Sequence, residues 1–289
     1  MKPCRLCRRT DLPLRQSHYL PAALYRIISK PQWNPVVVSA TTAISTSEQV
    51  VNELLCDECE RRFSDGGEAW VISKCWRDER IFPLREDLLA VGAVTSGPEL
   101  SVFEAANIPT VRPDQLAYFA ASVFWRGAAH NWTIQRKKVD RLPFGPFAEA
   151  FRLYLMGGPW PSHTALRVYV GQGMEEFRNT TVAFPHRSYK KEFSLYAFTI
   201  PGMTFYLFLG NGIPEPIARS CSARSPERYI FMSDETDLAN AQHNIVLFKD
   251  AAKKGCACQA RFDPSTAAAS PWPVAEVVKL LTRHNPKNC

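Results

Sequence analysis

The chain has 289 residues, is 46% hydrophobic and 22% charged, and carries a formal net charge of +7 with 17 Phe, 9 Tyr and 7 Trp. Such a composition is globular and large enough to bury a sizeable core. No run is apolar for long enough to span a bilayer, and the stretch 200–209 is broken by Pro201 and Gly202. The opening Met1-Lys2-Pro3-Cys4-Arg5 has no apolar leader, so a cytoplasmic protein with no membrane partner is expected.

In chain order, residues 1–9 read as a tight cysteine turn and 12–15 as a short extended segment ending at Ser17-His18. Pro21 suits a first helical position, with Leu24, Ile27 and Ile28 on one face of a helix over 22–29. Segments 36–44 and 50–55 are rich in β-branched residues and predict a hairpin leading into Cys56. A helix should start at the second cysteine pair and carry Phe63 and Trp70, with Gly66-Gly67 as its weak point. The stretch 92–99 (Gly-Ala-Val-Thr-Ser-Gly-Pro-Glu) marks a boundary between a unit at 1–91 and a second at 100–289. Helices are expected at 113–126 and 147–156, strands at 166–170, 180–184, 193–200 and 204–209, and closing helices at 237–253 and 274–283. The second unit is therefore a mixed α+β domain.

The placing of the nine cysteines matters more than their number. Cys4-Arg5-Leu6-Cys7 and Cys56-Asp57-Glu58-Cys59 both have Cys-x-x-Cys spacing, and two such turns supply the four tetrahedral ligands of a structural zinc ion. The bland alternatives are two unrelated buried pairs or a redox pair; a thioredoxin-like motif needs a βαβ context, which neither pair has. Cys256 and Cys258 have no second pair nearby, and nothing in the spacing recruits His243 or His284. Around the first pair, Arg5, Arg8, Arg9 and Arg15 form a basic group suited to phosphate and hence to nucleic acid. Two further groups, Arg136, Lys137, Lys138 and Arg141, then Arg187, Lys190 and Lys191, read as solvated surface.

Cys-Arg-Leu-Cys, then Ser17-His18-Tyr19-Leu20-Pro21, then Leu54-Leu55-Cys56-Asp57-Glu58-Cys59-Glu60 together resemble the zinc-ribbon form of the HNH nuclease superfamily. They look most like bacterial HNH-like proteins with Ser-His-Ile-Ile-Pro and Leu-Leu-Cys-x-x-Cys-Glu-x-x-Phe-Ser, the last running here through Phe63-Ser64. The later Ser-x-x-Trp-Arg helix of those proteins is echoed by Ser122-Val123-Phe124-Trp125-Arg126. The resemblance covers roughly the first eighty residues. It implies an α+β fold whose N-terminal part is an HNH-like ββα-metal module, a hydrolytic endonuclease acting on DNA, and defence against foreign DNA as its setting. It also implies His18 as general base; the bland reading is a histidine bracing the turn before Pro21. The superfamily's aspartate before this histidine is Ser17 here, and its last histidine is Glu60. Neither Asn52 nor Asn34 matches its middle asparagine cleanly. Glu60 would hold a catalytic Mg²⁺ or Mn²⁺, joined by Glu68 eight residues on if Gly66-Gly67 leave both on one helix face; the bland reading of Glu68 is a solvated acidic face. Two further readings stand beside the nuclease: a zinc ribbon without catalysis that binds nucleic acid or a protein, and a structural zinc domain supporting an enzyme in the second unit. That unit, expected to recognise a substrate, protein partner or signal, shows no phosphate loop, no Gly-x-Ser-x-Gly and no His-Glu-x-x-His.

Overall fold

The computed structural model describes residues 2–28, 36–38, 42–45, 49–97, 100–134, 137–139, 141–173, 182–233 and 260–261. The closing helices expected at 237–253 and 274–283, and the Cys256–Cys258 pair, lie outside these residues. Within them the protein is α+β. Strand β1 (Leu14–His18) and helix α1 (Ala22–Ile28) are followed by β2 (Val36–Val38), β3 (Thr42–Ser45) and β4 (Val51–Cys56). A long helical stretch then runs without interruption from α2 (Asp57–Phe63) through a π-helical turn (Ser64–Glu68) to α3 (Ala69–Lys74).

β4 does not pair with the 36–44 segment, as the sequence suggested; it pairs antiparallel with β1, Leu14 opposite Cys56 and His18 opposite Val51. β2 and β3 form their own hairpin, and β2 joins β10 (Val182–Lys190) in parallel. The reason is physical. An uninterrupted Val36-Val37-Val38 run suits a sheet interior, whereas pairing β1 with β4 brings their flanking cysteine turns together.

Beyond α4 (Pro83–Val91), β5 (Thr95–Ser96) and β6 (Ser101–Glu104) comes helix α5 (Pro113–Ala129). The hairpin β7 (Trp132–Ile134) and β8 (Lys137–Val139) leads to α6 (Phe147–Leu155). β9 (Thr164–Gly171), β10, β11 (Ser194–Ile200), β12 (Met203–Leu209), α7 (Glu215–Arg219), β13 (Tyr229–Ser233) and β14 (Ala260–Arg261) complete the described elements. A ten-stranded sheet has the order β14-β3-β2-β10-β11-β12-β9-β13-β6-β5, antiparallel except at β2/β10 and β9/β13. Its middle strands are buried on both faces, so β9 and β12 do not alternate apolar and polar residues, and β9 even buries Arg167. α5 lays Phe119 and Phe124 on the sheet, where they meet Phe198 and Phe205 edge to face.

One cluster of buried side chains reaches from Cys4 and Leu6 through α5 to Phe231 and Met232, across the segment at 92–99. The Pro201-Gly202 turn joining β11 to β12 docks under the helical stretch: Trp76 N–H donates to Pro201 O at 3.2 Å. Gly202 sits at φ +80, and a Cβ there would lie 2.4 Å from the Phe82 ring.

Candidate metal centre and strand–helix corner

Cys4 closes the first turn through two backbone bonds, Cys4 N–H to Arg9 O (2.9 Å) and Arg8 N–H to Cys4 O (2.8 Å). The turn needs a left-handed residue, and Arg8 takes that conformation at φ 65. Arg5 N–H donates to Leu54 O at 3.0 Å and Cys56 N–H to Cys4 Sγ at 3.3 Å, seating the turn on the end of β4. The sulfurs of Cys4, Cys7, Cys56 and Cys59 consequently lie within 4.8 Å of one another. With Zn–S bonds of about 2.3 Å, the edge of a tetrahedron of sulfurs is ~3.8 Å; Cys7 Sγ and Cys56 Sγ are 3.7 Å apart. Four thiols at this spacing can hold a metal ion, and the donor set is that of a structural zinc site. The Cys59 thiol, and then the amides of Cys56, Cys7 and Leu6, hydrogen-bond to Cys4 and bring its thiol down to about 4 against the effect of burial. The same contact pushes the Cys59 thiol up.

The second half of the site is the corner where β1 meets α2. A bulge between Arg15 and Gln16 re-phases β1, so that Ser17 is buried facing α2 while Arg15 and Gln16 are both exposed. Ser17 Oγ accepts from Leu55 N–H at 3.1 Å and donates to Glu60 Oε1. Two of the positions at which the chain departs from the HNH pattern, Ser17 and Glu60, are thus hydrogen-bonded partners. His18, next to Ser17, is half-buried on the opposite side of the strand. Its position is fixed by Tyr19, whose ring is stacked between Trp132 and Phe184, each 4.9 Å away.

Glu68 is not beside Glu60. Its carboxylate meets Arg126 Nη1 at 2.6 Å, and the Arg126 guanidinium lies 4.7 Å from the centre of the Phe63 ring. Trp125 meets the same ring edge to face at 6.0 Å. The Phe63-Ser64 motif and the Trp125-Arg126 motif, 62 residues apart in the chain, are therefore in contact, and Glu68 pairs with Arg126 there. Among the described residues, the four cysteines are the one place where three or more His, Cys, Asp or Glu ligand atoms converge.

The basic group around the first cysteine pair is largely paired. Arg8 meets Glu149 at 2.5 Å, Arg15 meets Asp57 at 2.9 Å, and Arg9 meets Asp11 at 2.8 Å and Glu58 at 3.3 Å. Arg152 of α6 donates to Leu6 O at 2.7 Å and holds Glu149, whose carboxyl is lowered by that bond and by Arg8. Helix α6 therefore buttresses the cysteine turn from the middle of the chain. Apart from Arg9–Asp11 and Arg152–Glu149, these pairs were invisible in the sequence because their carboxylates come from other elements. His163 lies in a turn at φ 54, and His186 Nδ1 is 3.0 Å from Phe184 O; neither belongs to the corner.

No helix of the described residues is long and apolar enough to cross a membrane. Comparison of the chain with protein-family models, with curated proteins and with solved structures finds no match to any of them.

Proposed function

We propose that the cysteine cluster binds zinc and that the β1–β4–α2 unit it staples is an HNH-like endonuclease module acting on DNA. The observation that carries this reading is the hydrogen bond from Ser17 to Glu60. Two of the three departures from the nuclease pattern are complementary: a hydroxyl in place of one ligand orients the carboxylate that replaces the other. Mg²⁺ and Mn²⁺ bind through one or two carboxylates together with substrate phosphates; Glu60 offers one such carboxylate, while that of Glu68 is paired with Arg126. Such an ion, when bound, supplies charge neutralisation at the scissile phosphate. His18 takes the proton of the attacking water, and the stacked Tyr19 holds it at the end of β1.

Supercoiled plasmid incubated with the full chain in Mg²⁺ or Mn²⁺ tests this directly. Nicking should fall by about 10²-fold or more in His18→Ala, the usual weight of a general base, and should also be lost in Glu60→Gln, with zinc content unchanged in both. Equal nicking by the wild type and His18→Ala would remove His18 from the mechanism. A second reading is a module that binds nucleic acid without cutting it. It is favoured by the commitment of Glu68 to Arg126 and by the opposite facing of Ser17 and His18. Retained DNA binding with no nicking in either metal would establish it.

A further inference from the structure

Of the four arginines that the sequence offers for phosphate, Arg8, Arg9 and Arg15 already face carboxylates at 3.3 Å or less. The fold gathers a different set of basic side chains. β7 packs beside β4, and Trp132 of β7 stacks on Tyr19, which brings the end of α5 and the β7–β8 hairpin up to the cysteine turn. His130 follows α5 and meets Trp132 edge to face at 5.3 Å. Arg141, just after the hairpin, donates through Nε to Ala128 O, while Lys2 and Arg5 project from the cysteine turn.

The carbonyls at the end of α5 are met by other donors: Trp132 Nε1 to Arg126 O at 2.9 Å, Leu142 N–H to Gly127 O at 2.9 Å, and Arg141 to Ala128 O. The negative end of the helix is therefore satisfied locally. The one carboxylate paired to this group among the described residues is Glu53, 3.4 Å from Lys2, with both side chains largely exposed. Exposed pairs of this kind are worth under about 1 kcal/mol and yield readily to a phosphate. The charged groups that act on His130 are Arg5, Lys2 and Arg141, all cationic; together with burial, which is the larger cause, they hold its imidazole below the usual histidine range. The backbone of Lys137 and Lys138 lies in β8, opposite Ile134 and Thr133 of β7.

We infer that Lys2, Arg5, His130 and Arg141 form a phosphate-binding surface along which a nucleic-acid backbone lies, joining the cysteine turn to the β7–β8 hairpin. Arg141, which reads in the sequence as ordinary solvated charge, thus shares a surface with Lys2 and Arg5, more than a hundred residues away in the chain. The inference rests on the nucleic-acid reading of the protein but not on cleavage.

The test is fluorescence anisotropy of a labelled DNA duplex with the full chain across a salt series. Lys2→Gln/Arg5→Gln removes two exposed cations, so log K against log [salt] should become shallower by about 2, at ~0.9 for each phosphate no longer neutralised. Arg141→Gln should weaken binding, and Arg141→Lys, which keeps the charge, should restore most of it. Arg8→Gln/Arg15→Gln should weaken binding less than Lys2→Gln/Arg5→Gln. Unchanged melting and zinc content in Lys2→Gln/Arg5→Gln would show that its fold is intact. Wild-type affinity and salt slope in that variant would overturn the surface while leaving the nuclease reading standing, as would a larger effect from Arg8 and Arg15. Surface-dependent binding without nicking would overturn the nuclease and keep the surface. No binding to DNA at any salt would overturn both.

Discussion

The Arg126 guanidinium is almost fully buried and the Glu68 carboxylate nearly so, and they meet at 2.6 Å with Phe63 against the guanidinium. An ion pair of this kind contributes modestly when intact, because desolvating both charges offsets their attraction, but losing one partner strands the other. Glu68→Gln should therefore destabilise the protein by about 3 kcal/mol in urea denaturation. Adding Arg126→Met should recover much of that stability. A Glu68→Gln variant within about 0.5 kcal/mol of the wild type, the range of an ordinary surface substitution, would show that the pair carries no structural weight. Ser17 and Glu60 make a different kind of contact, partly open at the corner, where a hydroxyl directs a carboxylate. The two glutamates eight residues apart thus have separate fates: one locks helix to helix, the other stays at the β1–α2 corner.

At the scale of elements, the helical stretch from Asp57 to Lys74 has to cross α5 closely. Gly66 and Gly67 make that possible: a Cβ on Gly66 would lie 2.4 Å from the Tyr118 ring, and one on Gly67 2.4 Å from Gln115 O. The second obstacle is backbone and cannot swing aside. Gly67→Ala should cost about 1–3 kcal/mol, the range for overpacking a tight contact, measured by the same denaturation. An unchanged midpoint would mean that the crossing relaxes freely. The sequence marked this glycine pair as a weak point; in the structure it is a π-helical turn inside a continuous helix. The difference was not legible, because the reason for the glycines sits on α5. Helices with a strong apolar stripe, α5 and α6, and the runs of β11 and β12 were legible to within a few residues. β6 and β13 were not anticipated: the first is only four residues long, and the second is buried throughout, with no alternation over its four apolar residues.

For the molecule as a whole, local spacing was more readable than long-range pairing. Two Cys-x-x-Cys turns specify a ligand set almost by themselves, and the fold brings the four sulfurs together by pairing β1 with β4. Charge was harder to read. Arg15 meets Asp57 from 42 residues away and Arg8 meets Glu149 from 141 residues away, so the free cations could not be told from the occupied ones in sequence. The functional account depends on the metal first. If the cysteine cluster does not hold zinc, the strand–helix corner with Ser17, His18 and Glu60 loses the staple that positions it. The most direct measurement is the zinc content and melting temperature of the purified full chain, before and after a strong chelator, beside a Cys59→Ser variant. Zinc equimolar with the protein, removed by chelation together with several degrees of melting temperature and deficient in the variant, is the predicted result. A metal-free protein that melts at the same temperature with and without the chelator would contradict the account.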